Sequence, residues 1–152
     1  MADVQKIATR EAYGKALVEL GKEHDDLLVF DADLAEATRS GKYGEEYPDR
    51  FVDCGIAEAN MIGMAAGVAA TGHKVFATSF AMFTSGRAFE QIRNSVGYPH
   101  LNVKIGATHG GLSVGEDGAT HQSLEDIGMM RALPQMRVLV PADYNATKAA
   151  LR

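Results

Sequence analysis

The sequence has little of several residue types, and each scarcity excludes a class of protein. Its 152 residues include one cysteine, Cys54, and no tryptophan. A single cysteine rules out an intrachain disulfide, so the composition favours a reducing compartment over a disulfide-stabilised secreted domain. Basic residues number 15 against 20 acidic ones, a balance that argues against the basic surface needed to bind nucleic acid.

Long apolar runs are also missing. No stretch approaches the roughly 20 residues that a membrane-spanning helix needs, and residues 1–10 lack the apolar segment of a signal peptide. We therefore expect no membrane partner and a cytoplasmic location. What the chain does contain is 46% hydrophobic and 23% charged residues, which is typical of one domain with a packed core.

Apolar runs alternate with helical patterns along the whole chain. Five short runs predict strands, namely Leu27–Phe30, Phe51–Asp53, Val75–Ala77, Val103–Ala107 and Arg137–Val140. Five helices are predicted around them, over Thr9–Leu20 (capped by Thr9 and ended by Gly21), Ala57–Thr71 (ended by Gly72), Phe80–Val96, Ser123–Leu133 and from Asn145 onward. This alternation predicts an α/β fold of three layers, with a mostly parallel sheet and helices on both faces.

Polar segments directly follow four of the predicted strands, at residues 31–33, 53–58, 78–83 and 108–121. Ligands of such sheets bind outside the carboxyl ends of the strands. We therefore expect these four segments to converge on one edge of the sheet.

The segment from Asp53 to Met61 places Glu58 in the first turn of a helix, among apolar residues. A carboxylate in apolar surroundings needs a hydrogen-bonding partner, so a functional role is one interpretation. The alternative is a glutamate that only favours the positive end of the helix dipole.

The helix after Glu58 has no charged residue from Ala59 to Gly72, and its glycines Gly63 and Gly67 are four residues apart. A helix that is apolar on all sides is expected to be buried on all sides. We therefore predict that part of it forms a subunit interface; the alternative is a central helix of a large sheet.

Phe80 and Phe83 are three residues apart, on one face of the helix predicted over Phe80–Val96. Such a pair belongs to a core more often than to a ligand site. This pair, however, follows a strand end, where a flat heteroaromatic ring could stack on it.

The richest segment is the loop Thr108–Gln122, which contains two histidines, two acids and four glycines. His109 and His121 titrate near neutrality and can move protons, and Asp117 lies between them in the sequence. No His-x-x-x-His or Cys-x-x-Cys spacing indicates a metal site. Gly115–Gly118 with Asn145 loosely matches a magnesium–diphosphate signature, but Glu116 interrupts it and the paired asparagines are absent. We therefore predict no metal ligands in this chain.

Together these segments resemble the pyrimidine-binding domain of the transketolase family, with the thiamine diphosphate-binding fold. The resemblance runs from Ala8-Thr9-Arg10 through Asp31-Ala32-Asp33-Leu34 and Gly55-Ile56-Ala57-Glu58 to Pro141-Ala142-Asp143. Its most specific part is Gly-Glu-Asp-Gly-x-Thr-His-Gln at 115–122. It implies a C-terminal section of a split transketolase, which transfers a two-carbon ketol unit between sugar phosphates in the pentose phosphate pathway.

The resemblance also implies roles around the cofactor, thiamine diphosphate. Glu58 matches the glutamate that hydrogen-bonds a ring nitrogen of the aminopyrimidine and favours its imino tautomer. The other implied cofactor-binding residues are Phe80, Phe83, His121 and Asp33. Magnesium and the diphosphate are expected on a partner domain or chain.

Substrate roles follow in the same way. Arg10 matches a contact to the substrate phosphate, Asp117 matches an acid that recognises a sugar hydroxyl, and His109 and His121 match residues beside the reacting carbon. Glu58, His109 and His121 are thus the implied catalytic residues. Two positions depart from the family pattern, because Asn60 stands near a common histidine and Ala37 replaces a phosphate-binding serine, with Thr38 beside it.

We expect residues 1–152 to form one pyrimidine-binding domain that is truncated before a further C-terminal domain, works with a diphosphate-binding partner and forms a homodimer. Two other enzymes remain open, a deoxyxylulose phosphate synthase and the beta subunit of a 2-oxo acid dehydrogenase. A non-catalytic subunit that only dimerises is the third alternative. It predicts loss of Glu58 or the loop histidines, and all are present.

Overall fold

A parallel sheet of four strands lies at the centre of the computed structural model, which describes residues 5–152. The strands are β1 (Leu27–Asp31), β2 (Phe51–Asp53), β3 (Lys74–Phe80) and β4 (Val103–Thr108). Their order is β2-β1-β3-β4, and each neighbouring pair is parallel. The predicted parallel sheet is therefore confirmed, and all its carboxyl ends meet at one edge, which we call the carboxyl edge.

Helices account for most of the remaining structure. They are α1 (Thr9–Glu23), α2 (Ala35–Thr38), α3 (Gly41–Glu46), α4 (Glu58–Ala70), α5 (Phe89–Gln91), α6 (Asp126–Arg131) and α7 (Tyr144–Leu151). Two π-helical segments, Met82–Arg87 and Ile92–Gly97, flank α5. The short helices α2 and α3 lie between the first two strands, where the sequence pattern predicted none.

Two apolar cores separate the sheet from its helical layers. On one side, residues of α1 and Tyr43 of α3 pack on Leu27, Val29 and Phe76. On the other, α4 and the helical segment after β3 pack on Phe30, Val75 and Ala77. Successive strand residues alternate between the two cores, as the period of two in a β-strand requires. The predicted three layers are thus confirmed.

The strand predicted over Arg137–Val140 is wrong. The structure assigns no strand there, and Leu139 and Val140 are 68% and 69% exposed. An apolar run forms a strand only where a neighbouring strand pairs with it and a helical layer covers it. In the described part of the chain neither condition is met at these residues.

Helix limits also differ from the predictions in ways that packing explains. Thr9 is the first residue of α1, not its cap, since Ala8 precedes the helix and no side chain caps it. The helix continues through Gly21 to Glu23, and a Cβ at Gly21 would lie 2.5 Å from a ring carbon of Tyr47. Gly21 therefore permits close packing and does not end the helix.

Phe80 is the last residue of β3, so the helix predicted from that residue begins later. The helix predicted over Ser123–Leu133 is also shorter, since α6 spans only Asp126–Arg131. The last helix agrees with its prediction, and the Asp143 carboxylate caps it by accepting from the Ala146 amide at 2.8 Å.

Helix α4 is covered on one face only. Met61, Ile62 and Ala65 are fully buried, but Met64 is 41% exposed and a Cβ at Gly63 or Gly67 would meet nothing within 4 Å. The chain itself therefore does not bury this helix on all sides, which contradicts the alternative of a central helix; the subunit interface on the exposed face stays a prediction. None of the helices in residues 5–152 is long and apolar enough to cross a membrane.

Candidate functional site

The four polar segments do converge on the carboxyl edge. Asp31 is in register with Asp53 of β2 and with Thr78 of β3, and Phe80 is in register with Thr108 of β4. Every site residue predicted from the sequence lies in α1, in α4, or in a segment that ends or follows one of these strands.

Glu58 begins α4 and is 1% exposed, so its carboxylate is withdrawn from water. Arg87 meets the resulting need for a partner, because its Nη1 donates to Glu58 Oε2 at 2.8 Å. The guanidinium carbon of Arg87 lies 4.7 Å from the centre of the Phe83 ring. Arg87 was not among the site residues predicted from the sequence, although its position four residues after Phe83 was an available signal.

Two phenylalanines and two histidines form one aromatic cluster, which Arg87 connects to Glu58. The rings of Phe80 and Phe83 are 6.1 Å apart and within 9° of parallel. His121 meets Phe83 edge-on at 5.0 Å, while His109 stacks on Phe80 at 4.0 Å. These spacings suit attractive aromatic contacts, so the predicted cofactor-facing and substrate-facing residues share one surface.

The neighbours of His109 favour one tautomer of its neutral ring. Arg10 Nη1 lies 3.3 Å from Nε2, and Thr108 Oγ1 lies 2.8 Å from Nδ1. A guanidinium group can only donate, so Nε2 accepts and the ring proton is on Nδ1. Burial and the Arg10 charge both lower the pKa of His109, while the Asp117 carboxylate opposes them.

These contacts predict how the pKa of His109 responds to substitution. Arg10→Gln removes a cation that disfavours the imidazolium, so we expect the pKa to rise. Asp117→Asn removes an anion that favours it, so we expect the pKa to fall. Nuclear magnetic resonance titration of the ring protons measures both shifts. Arg93→Gln, at an exposed arginine bonded to Asn94, is the control. A shift of the same sign in both variants would contradict this arrangement.

Arg10 faces an open groove of about 550 Å³, which is also lined by Asp33, Arg39 and Asp53. Besides its contact with His109, Arg10 donates to the Ala37 carbonyl at 3.4 Å. No carboxylate within residues 5–152 forms an ion pair with it. A partly buried cation with only neutral acceptors is suited to binding an anion.

Asp33 also lines this groove and is in a left-handed conformation, with φ of 62°. Its amide donates to Asp53 Oδ1 at 3.1 Å, and the same oxygen accepts from the Gly55 amide at 2.9 Å. Asp53 therefore joins the loops after β1 and β2, a role that the sequence analysis did not assign. The Asp33 side chain remains exposed.

A buried polar network centred on Asp31 holds the segment after β1, and part of that segment lines the groove. The Asp31 carboxylate accepts from the Leu34 amide at 2.7 Å, from Thr38 Oγ1 at 3.0 Å and from Ser40 Oγ at 2.7 Å. Burial raises the pKa of Asp31, and these donors partly offset that effect. The network fixes the turn that presents the Ala37 carbonyl to Arg10. This polar network was not predicted from the sequence.

Asp117 and His121 belong to the loop that follows β4. Its turns require left-handed backbone at Gly111, Gly115 and Gly118, whose φ angles are 79°, 88° and 73°. Asp117 is exposed, and its charge reaches His109. No group of three or more metal-binding side chains occurs within residues 5–152.

Residues 5–152 match the family described as transketolase, pyrimidine binding domain. The "Putative transketolase C-terminal section" of Methanocaldococcus jannaschii is 58% identical over 143 residues, covering 94% of this chain and 45% of that protein. Human transketolase is 42% identical over 147 residues, covering 96% of this chain and 23% of that protein. A solved structure described as a split gene transketolase, inactive beta4 tetramer, is 53% identical with a TM-score of 0.85, covering 97% of this chain and 47% of that one.

This chain thus spans about half the length of the split relatives and about a quarter of human transketolase. The match nevertheless extends across all the segments that form the carboxyl edge. It confirms the resemblance and the fold predicted from the motifs. The chain belongs to the family of transketolase pyrimidine-binding domains.

Proposed function

We propose that this chain is the pyrimidine-binding half of a transketolase, which transfers a two-carbon ketol unit between sugar phosphates. The observation that carries the proposal is a chain of contacts at the carboxyl edge. It runs from Glu58 through Arg87 to Phe83 and His121, and from Phe83 through Phe80 to His109 and Arg10. These contacts connect a buried carboxylate and an aromatic ring to groups suited to proton transfer and to anion binding.

The residues present fit the pyrimidine half of thiamine diphosphate. Glu58 supplies a buried hydrogen-bonding carboxyl group for a ring nitrogen, and Phe83 supplies a half-buried ring for stacking. They do not fit the diphosphate half, which is usually held through magnesium by several oxygen ligands. We therefore assign magnesium and the diphosphate to a partner domain or chain.

When bound, thiamine diphosphate supplies the reactive carbon and the electron sink for ketol transfer. Glu58 would orient the aminopyrimidine and hold or release a proton at its ring nitrogen. His121, edge-on to Phe83, would line the same pocket and exchange a proton near the reacting carbon.

Substrate would enter from the Arg10 side of the cluster. His109 presents Nε2 as a proton acceptor only a few ångströms from the Arg10 guanidinium, so one sugar phosphate could contact both residues. Asp117 would recognise a sugar hydroxyl. Ala37 offers no hydroxyl to the phosphate, which leaves Arg10 as the principal phosphate contact from this chain.

Exposed apolar side chains around the site support a partner chain. Ile56, Leu112 and Leu124 are 76%, 71% and 73% exposed, and they lie in the segments that follow β2 and β4, with Leu112 in a short 3₁₀ turn. Such side chains grouped about a polar site are typical of a surface that another protein covers. We infer that the diphosphate-binding partner covers this surface.

Reconstitution tests the proposed function. The chain should be mixed with a candidate diphosphate-binding subunit, recognised by a Gly-Asp-Gly…Asn-Asn signature, and assayed for ketol transfer between sugar phosphates. Activity is expected only when both chains, thiamine diphosphate and magnesium are present. Decarboxylation of a 2-oxo acid by the same mixture, without ketol transfer, would favour the dehydrogenase alternative.

The proposed location of the chain is the cytoplasm, and the proposed pathway is the pentose phosphate pathway. Cell fractionation tests the location.

The isolated chain should bind thiamine diphosphate near the millimolar range at best. Stacking on Phe83 contributes on the order of 1 kcal/mol, and a hydrogen bond to Glu58 contributes about 1–3 kcal/mol. A millimolar Kd corresponds to about 4 kcal/mol. Calorimetry with magnesium measures the affinity. Micromolar binding would reveal a diphosphate site that the described residues do not show.

The exposed face of α4 should make the chain self-associate, and we propose a homodimer. Gly67→Arg places a long charged side chain where a Cβ meets nothing within 4 Å, so the fold should tolerate it. We expect light scattering to show an oligomer for the native chain and a monomer for this variant. Ala149→Arg, on an exposed residue of α7, is the control and should remain associated. A monomeric native chain at high concentration would contradict the prediction.

A further inference from the structure

One side chain, Arg87, contacts both groups that would receive the pyrimidine ring. Its Nη1 donates to Glu58 Oε2 at 2.8 Å, and its guanidinium carbon lies 4.7 Å from the centre of the Phe83 ring. Phe80 and His121 occupy other positions around that ring. The proposed function assigns no role to Arg87.

A guanidinium group shares with an aminopyrimidine the properties that these two partners recognise. Both are flat and delocalised, and both present N–H groups in their own plane. The Glu58 carboxylate accepts hydrogen bonds from such N–H groups, and the Phe83 ring attracts the flat face of a cation or a heteroaromatic ring. The two groups would therefore compete for one position.

We propose that Arg87 occupies the pyrimidine subsite as an internal ligand, and that the cofactor binds by displacing it. This inference rests on the proposed function, because that function identifies Glu58 and Phe83 as the pyrimidine subsite. The displacement would break the Arg87–Glu58 ion pair and replace it with a hydrogen bond between Glu58 and the pyrimidine ring nitrogen. That nitrogen has no proton in the neutral ring, so one proton is taken up from solvent and shared between the two groups.

Exposure decides which side chain moves. The Arg87 side chain is 51% exposed, whereas the Glu58 side chain is 1% exposed. A half-exposed arginine at the end of a π-helical segment can turn into solvent and remain hydrated. Glu58 cannot do so, since it is enclosed at the start of α4.

The internal contact also explains how the isolated chain accommodates Glu58. A buried carboxylate without a partner is strongly unfavourable, and Arg87 provides that partner until another donor arrives. The consequence is competition, because a ligand that binds only the open form has an apparent Kd increased by the reciprocal of the open fraction.

Binding of a pyrimidine fragment to the whole chain tests the inference. The probe is 4-amino-5-hydroxymethyl-2-methylpyrimidine, which lacks the thiazolium and diphosphate, and its Kd is measured by nuclear magnetic resonance. Arg87→Gln should lower this Kd by about three- to tenfold, the range expected if the open form is roughly a tenth to a third of the native chain. Arg93→Gln, at an exposed arginine bonded to Asn94, should leave the Kd unchanged.

Arg87→Lys serves as a second variant in case loss of the ion pair destabilises the fold. A lysine keeps a cation beside Glu58 but has no flat group to lie on Phe83, so its Kd should fall between those of the native chain and Arg87→Gln. Thermal melting establishes that each variant is folded.

An unchanged or higher Kd in folded Arg87→Gln would overturn the inference, and so would the absence of any binding by that variant. The proposed function is judged separately by ketol transfer in the reconstituted mixture. A mixture active with native Arg87, together with an unchanged fragment affinity in the variant, would reject only the internal-ligand role.

Discussion

Replacing Glu58 by glutamine should reduce ketol transfer by the reconstituted enzyme by about 10²–10⁴-fold, the range typical of a lost acid–base contribution. Glutamine has nearly the same shape and can still accept a hydrogen bond from Arg87, so we expect the fold to be retained. It cannot, however, hold or release a proton at the pyrimidine nitrogen. Turnover number and the melting temperature of the isolated chain are the two measurements.

Glu46→Gln is a suitable control, because Glu46 is an exposed glutamate at the end of α3. It should leave both turnover and melting temperature close to those of the native chain. Activity near the native level in Glu58→Gln would remove the central residue of the proposed mechanism. A melting temperature that collapses would instead show that Glu58 has mainly a structural role.

Removing His109 should impair sugar handling far more than cofactor binding. His109→Ala deletes the proton acceptor beside Arg10, and we expect kcat/KM for sugar phosphates to fall by about 10²–10⁴-fold. Asp117→Ala removes the proposed hydroxyl contact and also lowers the pKa of His109, and it should cost about ten- to a hundredfold, as for a hydrogen bond to a charged group of about 1.5–3 kcal/mol. Thiamine diphosphate affinity in the mixture should change little in either variant.

His73→Ala is the matched control, since His73 is exposed at the start of β3, away from the carboxyl edge, and bonds only to Thr71 within the described structure. Its kinetic constants should equal those of the native enzyme. If cofactor affinity collapses in His109→Ala while the substrate constants hold, His109 belongs with the cofactor contacts and the division of roles proposed above is wrong.

Local sequence patterns predicted much of this site because its chemistry lies in short contiguous segments. Strands of period two and helices of period three to four are properties of neighbouring residues, so the parallel sheet and the carboxyl edge followed from the order of those segments. The same reasoning failed at Arg137–Val140, because an apolar run becomes a strand only through pairing with a distant part of the chain.

Contacts between distant segments could not be predicted from local sequence patterns. The Glu58–Arg87 pair joins residues 29 apart, and the Arg10–His109 contact joins residues 99 apart. Each depends on the register of the strands and on the winding of the helix after β3, which no short window of sequence records. The uncovered face of α4 is a similar case, because periodicity predicts an apolar helix but not which of its faces the chain covers.

Composition, motifs and local periodicity were enough to predict the family, the layered α/β fold and the residue types at the carboxyl edge. The pairing of charges became known from the folded arrangement alone. That arrangement gave the buried Glu58 a half-exposed arginine for a partner and left Arg10 facing neutral acceptors. Long-range electrostatics and burial depend on the packed positions of side chains, and those positions lower the pKa of His109 and place Arg87 against Glu58.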